Sequence, residues 1–362
     1  MKAEPAIEKS ALKKFTDFPR QLYKNNKCYR GTEASIEKLL VKGPSCFHKN
    51  AVVKPYLIEG VNETMARFAL VHDKRSEEMV MVSFFEAKEG LVGIVDYIKE
   101  IARKEFPGVK KIVIGLNGHL NYGAGFLLNR FDEAPVFGLP YSPPWYSEYF
   151  KELEEKRMVS YRFEVNKLLE WAEKYKGLDK MEGLTVRFMN RKKIKDESRI
   201  YTELNNKAFI HHPYWANRDP EEDIELFYPF RFLLKNENLI FAEYKGKPVG
   251  FFLWYPDLNE LKKDSSDLNL FDVIKYKFSP RFKTFRFTEI GILPEFQRTP
   301  VGLALFRKAL PVLQKEGYEF CEGGFIFEEN KASINLGVRV ITRSLGEKPK
   351  PYRQYAVYEG TV

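Results

Sequence analysis

The segment Thr288-Glu-Ile-Gly-Ile-Leu-Pro-Glu-Phe-Gln-Arg-Thr-Pro-Val-Gly-Leu-Ala-Leu305 places a carboxylate ahead of a polar turn and a glycine-containing helix start. An apolar strand ends at Pro294, the turn follows, and the apolar spacing then becomes helical. A strand that passes through a tight turn into a helix points several backbone N–H groups at one spot, and the helix dipole adds positive charge there. Such a spot can hold the pyrophosphate of a nucleotide cofactor. Glu289 precedes it on the strand, on the face opposite the side chain of Ile292. A carboxylate in a central strand needs a partner or a wet cleft. Glu289 is therefore a candidate general base or a salt-bridged rim residue.

Two other clusters carry polar chemistry. In His211-His212-Pro-Tyr-Trp215 the adjacent histidines point to different sides, a poor metal pair. His212 and Trp215 either line an acceptor pocket or sit on the surface. The loop from Gly115 to Gly125 interleaves glycines with Asn117, His119, Asn121 and Tyr122. It lacks the Gly-Lys-Ser/Thr ending of a phosphate-binding loop. It reads as a left-handed, glycine-rich connection or as a loop that shapes an acceptor site. The three cysteines, Cys28, Cys46 and Cys321, show no CxxC or Cys/His spacing, so neither a disulfide framework nor a metal site is expected.

The chain that must position these residues has 362 residues, enough for two domains. Hydrophobic residues make up 44%, with 30 Phe and 20 Tyr, which supplies two packed cores. Formal charge is +9, with basic runs at Arg191-Lys-Lys-Ile-Lys195 and between Lys348 and Arg353. The cations are dispersed, which disfavours DNA and leaves solvated loops, an anionic ligand or RNA. Met1 to Phe15 lacks the apolar core of a secretory signal. No apolar run approaches the roughly 18 residues of a membrane span. The expectation is a reduced, cytoplasmic protein with no membrane partner.

Period-2 runs predict a hairpin of Met65–Val71 and Met79–Phe85, then a helix over Leu91–Glu105 and a strand over Val109–Gly115. A helical, charged stretch from Asn166 to Gly183 follows the strand Val159–Val165. The pattern then restarts: strand Leu184–Met189, helix Glu197–Ala208, and a hairpin of Leu239–Tyr244 with Pro248–Tyr255. Strand Phe285–Leu293, helix Pro300–Lys315, strand Glu319–Phe327, a helix over Asn330–Val338 and a closing strand Tyr352–Tyr358 complete it. The shared order predicts a tandem α/β unit: residues 1–170, a connection over 171–183, and 184–362.

Pro294-Glu-Phe-Gln-Arg-Thr-Pro-Val-Gly-Leu-Ala-Leu305 resembles the signature of GNAT-superfamily acyltransferases, in which Arg/Gln-x-x-Gly-x-Gly/Ala follows the strand. Lys315-Glu-Gly-Tyr318 and Glu329-Asn-Lys-Ala-Ser-Ile334 resemble its later motif. Phe18-Pro-Arg-Gln-Leu-Tyr23, Gly115-Leu-Asn-Gly-His119, Pro140-Tyr-Ser-Pro-Pro-Trp-Tyr146 and Tyr352-Arg-Gln-Tyr355 are similar to the large two-domain N-acyltransferases of that superfamily. The resemblance implies two tandem GNAT-like domains, each with a central mixed, strongly twisted sheet flanked by helices. It implies acetyl-CoA or another acyl-CoA as co-substrate and a small-molecule amine as acceptor.

It further implies that acyl-CoA sits between two splayed strands, held by Ile292, Gln297, Arg298, Thr299, Val301, Gly302, Leu303 and Asn330. The N–H of Ile292 would polarise the thioester carbonyl, with Glu289 as base. The sequence departs from the pattern at Pro300, which replaces the first glycine and has no N–H, and at Gly337, where a tyrosine acid is expected. Tyr318 and Tyr352 are possible substitutes. Thr299-Pro300 also makes an ordinary helix start whose hydroxyl would occupy the N–H of Val301 or Gly302. In the first domain Phe85-Glu-Ala-Lys-Glu-Gly90 stands where the motif would be, so no CoA is expected there. Two alternatives remain: a tandem aminoacyl transferase using aminoacyl-tRNA, and a catalytically degenerate ligand-binding protein.

Overall fold

The structure is a computed structural model that describes residues 2–31, 34–174, 177–264, 266, 268–278, 281–330, 342 and 348–362. In chain order the elements are β1 (Lys2–Pro5), α1 (Lys9–Leu22), α2 (Ala34–Glu37), β2 (Ala51–Glu59), β3 (Thr64–Asp73), β4 (Met79–Ala87), α3 (Ile94–Glu105), β5 (Lys111–Ile114), β6 (Phe126–Leu127), α4 (Tyr146–Tyr149) and β7 (Glu154–Glu164). There follow α5 (Val165–Lys174), β8 (Leu184–Phe188), α6 (Ile194–Ala208), α7 (Pro220–Phe227), β9 (Leu239–Tyr244), β10 (Lys247–Pro256), α8 (Leu270–Phe278), β11 (Thr284–Ile292), α9 (Val301–Glu316), β12 (Phe320–Phe327) and β13 (Gln354–Thr361).

Two compact units result, and they differ from a cut at residues 170–184. The first comprises Met1–Met158, Lys262–Leu268 and Arg353–Val362; the second comprises Val159–Leu261 and Asn269–Tyr352. The closing strand returns to the first unit because β13 pairs antiparallel with β5, Tyr358 opposite Ile114. The predicted helix over 330–338, apart from Asn330, and Gly337 lie outside the described residues.

The first unit has the strand order β1-β2-β3-β4-β5-β13, with β6 also on β13. Strands β4 and β5 are parallel; the other pairs in this order are antiparallel. Even-numbered side chains of β3, Ala66, Phe68 and Leu70, share a core with Ile94, Ile98 and Ala102 of α3. Odd-numbered Arg67 faces the other way and donates to the carbonyl of Phe15 on α1 at 2.7 Å. Strand β2 escapes the period-2 reading because Lys54 and Pro55 interrupt it. The Pro55 carbonyl still accepts from Ala6 at 2.8 Å.

The second unit has the order β7-β12-β11-β10-β9-β8. Strands β11 and β12 are parallel, and β10 pairs antiparallel with both β9 and β11. Helix α6 covers one face, where Tyr201 and Leu204 pack with Phe241, Phe251 and Leu253. Helix α9 covers the other, where Phe306 meets Phe252 and Phe252 meets Phe287. Val301, Ala304, Leu305 and Leu313 are buried at helical spacing, each large side chain contributing about 1.5–3 kcal/mol. Gly317, at φ 72°, ends α9 in the left-handed conformation, and its N–H bonds the carbonyls of Leu313 and Gln314. Pro311 sits inside α9 without ending it.

Candidate active site

The parallel ladder between β11 and β12 runs only from Thr284/Phe320 to Phe287/Gly323. Beyond it, residues 288–292 leave β12 behind. Opposite β10 the register shifts at this point: Leu253 faces Glu289 and Trp254 faces Phe287, so Thr288 is an extra, bulged residue. Its hydroxyl is buried and meets no hydrogen-bond partner. Leu293 donates its N–H to Val249 on β10 at 3.0 Å. Alternation along the strand therefore directs the N–H of Ile292 to the opposite edge, into the splay.

Glu289 turns to the α6 face. It is half-buried, and its carboxylate accepts from the Tyr201 hydroxyl at 2.5 Å and from Asn205 Nδ2 at 2.9 Å, both on Oε2. Burial pushes its pKa up; the Tyr201 bond, the Arg218 charge and the Asn205 bond act against that rise. Tyr201 is driven well above its ordinary value, first by burial and then by the Glu289 charge, so it stays a donor. Behind these lies a buried ion pair, Arg218 to Asp223 at 2.9 Å, with Thr202 donating to Asp223 at 2.7 Å. Tyr201 and Asn205 are one helical turn apart on α6. The signal available in sequence was a helix face of Ser198, Tyr201, Thr202 and Asn205, polar where a merely packed helix would be apolar.

The turn after β11 is built from Pro294 to Pro300. Gln297 Nε2 donates to the Ile292 carbonyl at 3.4 Å, and Arg298 adopts a left-handed φ of 65°. Thr299 donates its hydroxyl to Phe296 at 2.6 Å and accepts the Val301 N–H at 3.4 Å. The second bond is long and weak. Pro300 precedes α9 at φ −61° and supplies no donor. Gly302 lies against β11: a Cβ there would come 3.1 Å from Ile292 Cδ1. Gly302 thus brings the first turn of α9, whose N–H groups have no acceptor within the helix itself, against the Ile292 side chain at the end of β11. Asn330 follows the turn after β12, its N–H on the Phe327 carbonyl at 2.9 Å.

The loop after α6 reaches the splayed end of β12. His212 sits edge-on to Phe327 at 5.0 Å, and Tyr214 packs on the same ring at 5.4 Å. Burial lowers the His212 pKa to about 4, so the ring is neutral at pH 7. Trp215 packs tilted against Phe209, with ring centroids 5.3 Å apart, and the Arg218 guanidinium lies 4.9 Å from the Trp215 ring.

The first-unit candidates are tied into the packing of that unit. Asn117, His119 and Tyr122 are buried. Asn117 Oδ1 accepts the Phe84 N–H at 2.9 Å, His119 Nδ1 accepts the Asn121 N–H at 3.2 Å, and Tyr122 packs edge-on to Phe47. The β4–β5 ladder ends at Val82/Ile114 and β4 is bulged just beyond, as in the second unit. Here, however, Asn117 and a bond from Ser83 to the Leu116 carbonyl at 2.7 Å tie the gap shut.

Tyr318 also lies elsewhere than expected. It packs against Trp254 and Phe285 at the start of the β11–β12 ladder, away from the splay. The Tyr352 hydroxyl accepts from Arg162 at 2.9 Å. A cleft of about 940 Å³ opens between β8 and the later turns of α9, where Leu184, Val186 and Phe188 face Arg307, Lys308 and Pro311. It is lined by none of Glu289, Ile292 or residues 297–303, so cleft size and donor geometry point to different places; the donors decide where a reacting carbonyl can be polarised. Among the described residues no group of three His, Cys, Asp or Glu could hold a metal.

Two α/β units, each with a parallel strand pair whose ladder ends beside a bulge, define a tandem GNAT-like fold. A tandem GNAT protein from the clavulanic acid biosynthesis pathway superposes over 99% of this chain and 98% of its own, with a TM-score of 0.55 and 10% identity. A probable N-acyltransferase from Enterococcus faecalis V583 superposes over 100% of this chain and 72% of its own, with a TM-score of 0.52 and 10% identity. In sequence the chain is 22% identical to Protein YghO of Escherichia coli (strain K12), covering 98% of this chain and 94% of that one. No protein-family profile matches.

Proposed function

We propose that the second unit transfers an acyl group from acyl-CoA to the amine of a small molecule. The observation that carries this reading is the splay of β11 from β12, with the Ile292 N–H at its edge, the first turn of α9 packed against Ile292 and the half-buried Glu289 carboxylate on the same strand. The pyrophosphate rests on the donors of Arg298, Val301, Gly302 and Leu303, and the thioester carbonyl accepts from Ile292. The amine nitrogen attacks that carbonyl; a C–N bond forms, the C–S bond breaks, and CoA departs as a thiolate that solvent protonates. Glu289 lies three residue steps before Ile292, about 10 Å along the strand, while proton transfer needs about 3 Å. Glu289 therefore takes the amine proton through water. Its raised pKa makes it a stronger base than an ordinary carboxylate. His212, Tyr214 and Trp215 shape the acceptor side.

The test is thiol release from acetyl-CoA with a panel of small amines, comparing the full chain with Glu289→Gln. The expected result is turnover with at least one amine, lowered roughly 100-fold or more in the variant, with acetyl-CoA affinity unchanged. Equal turnover in the two proteins would remove Glu289 from the mechanism. Binding without turnover on any amine would favour the second reading, a ligand-binding protein, for which Pro300 and the Thr299 hydroxyl beside Val301 are the supporting features.

A further inference from the structure

An apolar stripe of the second unit faces water. Helix α8 presents Phe271, Ile274 and Phe278 on one side, and these are 81%, 44% and 81% exposed. Its packed side carries Asp272, buried and accepting the Asn269 N–H at 2.8 Å, and Tyr276, 5.7 Å from the Phe282 ring. The helix is amphipathic with its apolar face outward, the reverse of a helix that serves only a core. Two more exposed rings, Tyr228 and Phe232, lie beside it; the Lys277 ammonium sits 5.7 Å from the Phe232 ring. Single exposed apolar residues are ordinary, but neighbouring ones call for a partner.

The charges around the patch say which partner. The Arg231 guanidinium lies 4.0 Å from the Tyr228 ring and 4.2 Å from Phe232, and the Lys195 ammonium lies 5.2 Å from Tyr228. Lys275 and Lys277 flank the stripe on α8. Among the described residues none of these four cations makes an ion pair. Exposed aromatic rings ringed by unpaired cations match an interface in which apolar groups enter the acyl boundary while amines meet phosphates.

We propose that this face docks the protein on an anionic lipid surface through α8 and residues 228–232. A short surface helix such as α8 is far below the length of a membrane span and carries no such signal in sequence. The proposal concerns a face remote in kind from the transfer chemistry and does not depend on it.

The test is co-sedimentation of the full chain with phosphatidylcholine vesicles, with and without about a third phosphatidylglycerol. The expected result is binding to the anionic vesicles alone, weakened as salt rises from about 0.05 to about 0.5 M. Phe271→Ser/Phe278→Ser and, separately, Lys275→Glu/Lys277→Glu lower the partition at least tenfold while circular dichroism is unchanged. Absence of binding, or equal binding by wild type and the phenylalanine variant, overturns the proposal. So does a sedimentation-velocity dimer that Phe271→Ser/Phe278→Ser dissolves without any vesicle binding, since the patch would then cover a second copy.

Discussion

Replacing Gly302 separates an anion site from an ordinary helix start. Gly302 lies in the first turn of α9, where an acidic side chain is favoured by the helix dipole and can accept the free N–H groups. Gly302→Asp should therefore keep or raise the melting temperature. If pyrophosphate binds the same donors, the new carboxylate sits about 5 Å from it. Two unit charges at that distance, at an effective dielectric near 20, repel by about 3 kcal/mol. With about 1.4 kcal/mol per decade, acetyl-CoA affinity falls on the order of 100-fold. Gly302→Ala is the control. Its Cβ would meet Ile292 Cδ1 at 3.1 Å, the free end of a side chain that can give by a few tenths of an ångström. A helix gains roughly 0.5–1 kcal/mol from that change, and affinity should stay within about threefold. Isothermal titration with acetyl-CoA reads both. Affinity in Gly302→Asp within threefold of wild type, in a folded protein, would refute the placement of the pyrophosphate on α9; equal losses in both variants would refute the electrostatic argument.

Two predictions concern the first unit. Asn117→Ala leaves the Phe84 N–H buried without its acceptor, at a cost of about 1–3 kcal/mol; the melting temperature should fall by a few degrees with acetyl-CoA affinity unchanged, and an unaltered melting curve would mean the gap is held shut by something else. The half-buried Glu86 accepts from the Tyr23 and Tyr146 hydroxyls at 2.7 and 2.6 Å, and desolvation of its carboxylate raises its pKa from 4.5 to about 7 against the pull of the Arg67 charge and both hydrogen bonds. The folded state thus holds a proton that the unfolded state releases. Its stabilising effect is complete below pH 4.5 and is lost as pH rises to about 7, a fall of about 3 kcal/mol at 1.4 kcal/mol per unit. Denaturant titrations of wild type and Glu86→Gln across that range should differ by this slope; parallel stability curves would show that Glu86 does not titrate there.

The β9–β10 hairpin, β11, α9 and α3 were legible because each follows a local rule: alternation for strands, helical spacing ended by glycine at Gly317, a turn at Lys245-Gly-Lys247. The strand–turn–helix around Ile292 was legible for the same reason, since its donors belong to backbone that the local pattern shapes. What the local pattern could not supply was the partners of Glu289. Tyr201 and Asn205 meet it only because α6 lies across β11 and β10, and the Arg218 charge reaches it from the loop after α6. The same limit applies to Asn117, His119 and Tyr122, polar or aromatic in sequence yet buried by the first unit's packing. It applies also to Phe271 and Phe278, whose exposure is set by tertiary packing. Sequence by itself determined the strands, the helices and the turn between β11 and α9, because those depend on a residue's near neighbours. Tertiary structure alone decided which carboxylate is held by a tyrosine, which gap is shut and which apolar face stays open, because burial and charge pairing are set by segments that meet only in the folded chain.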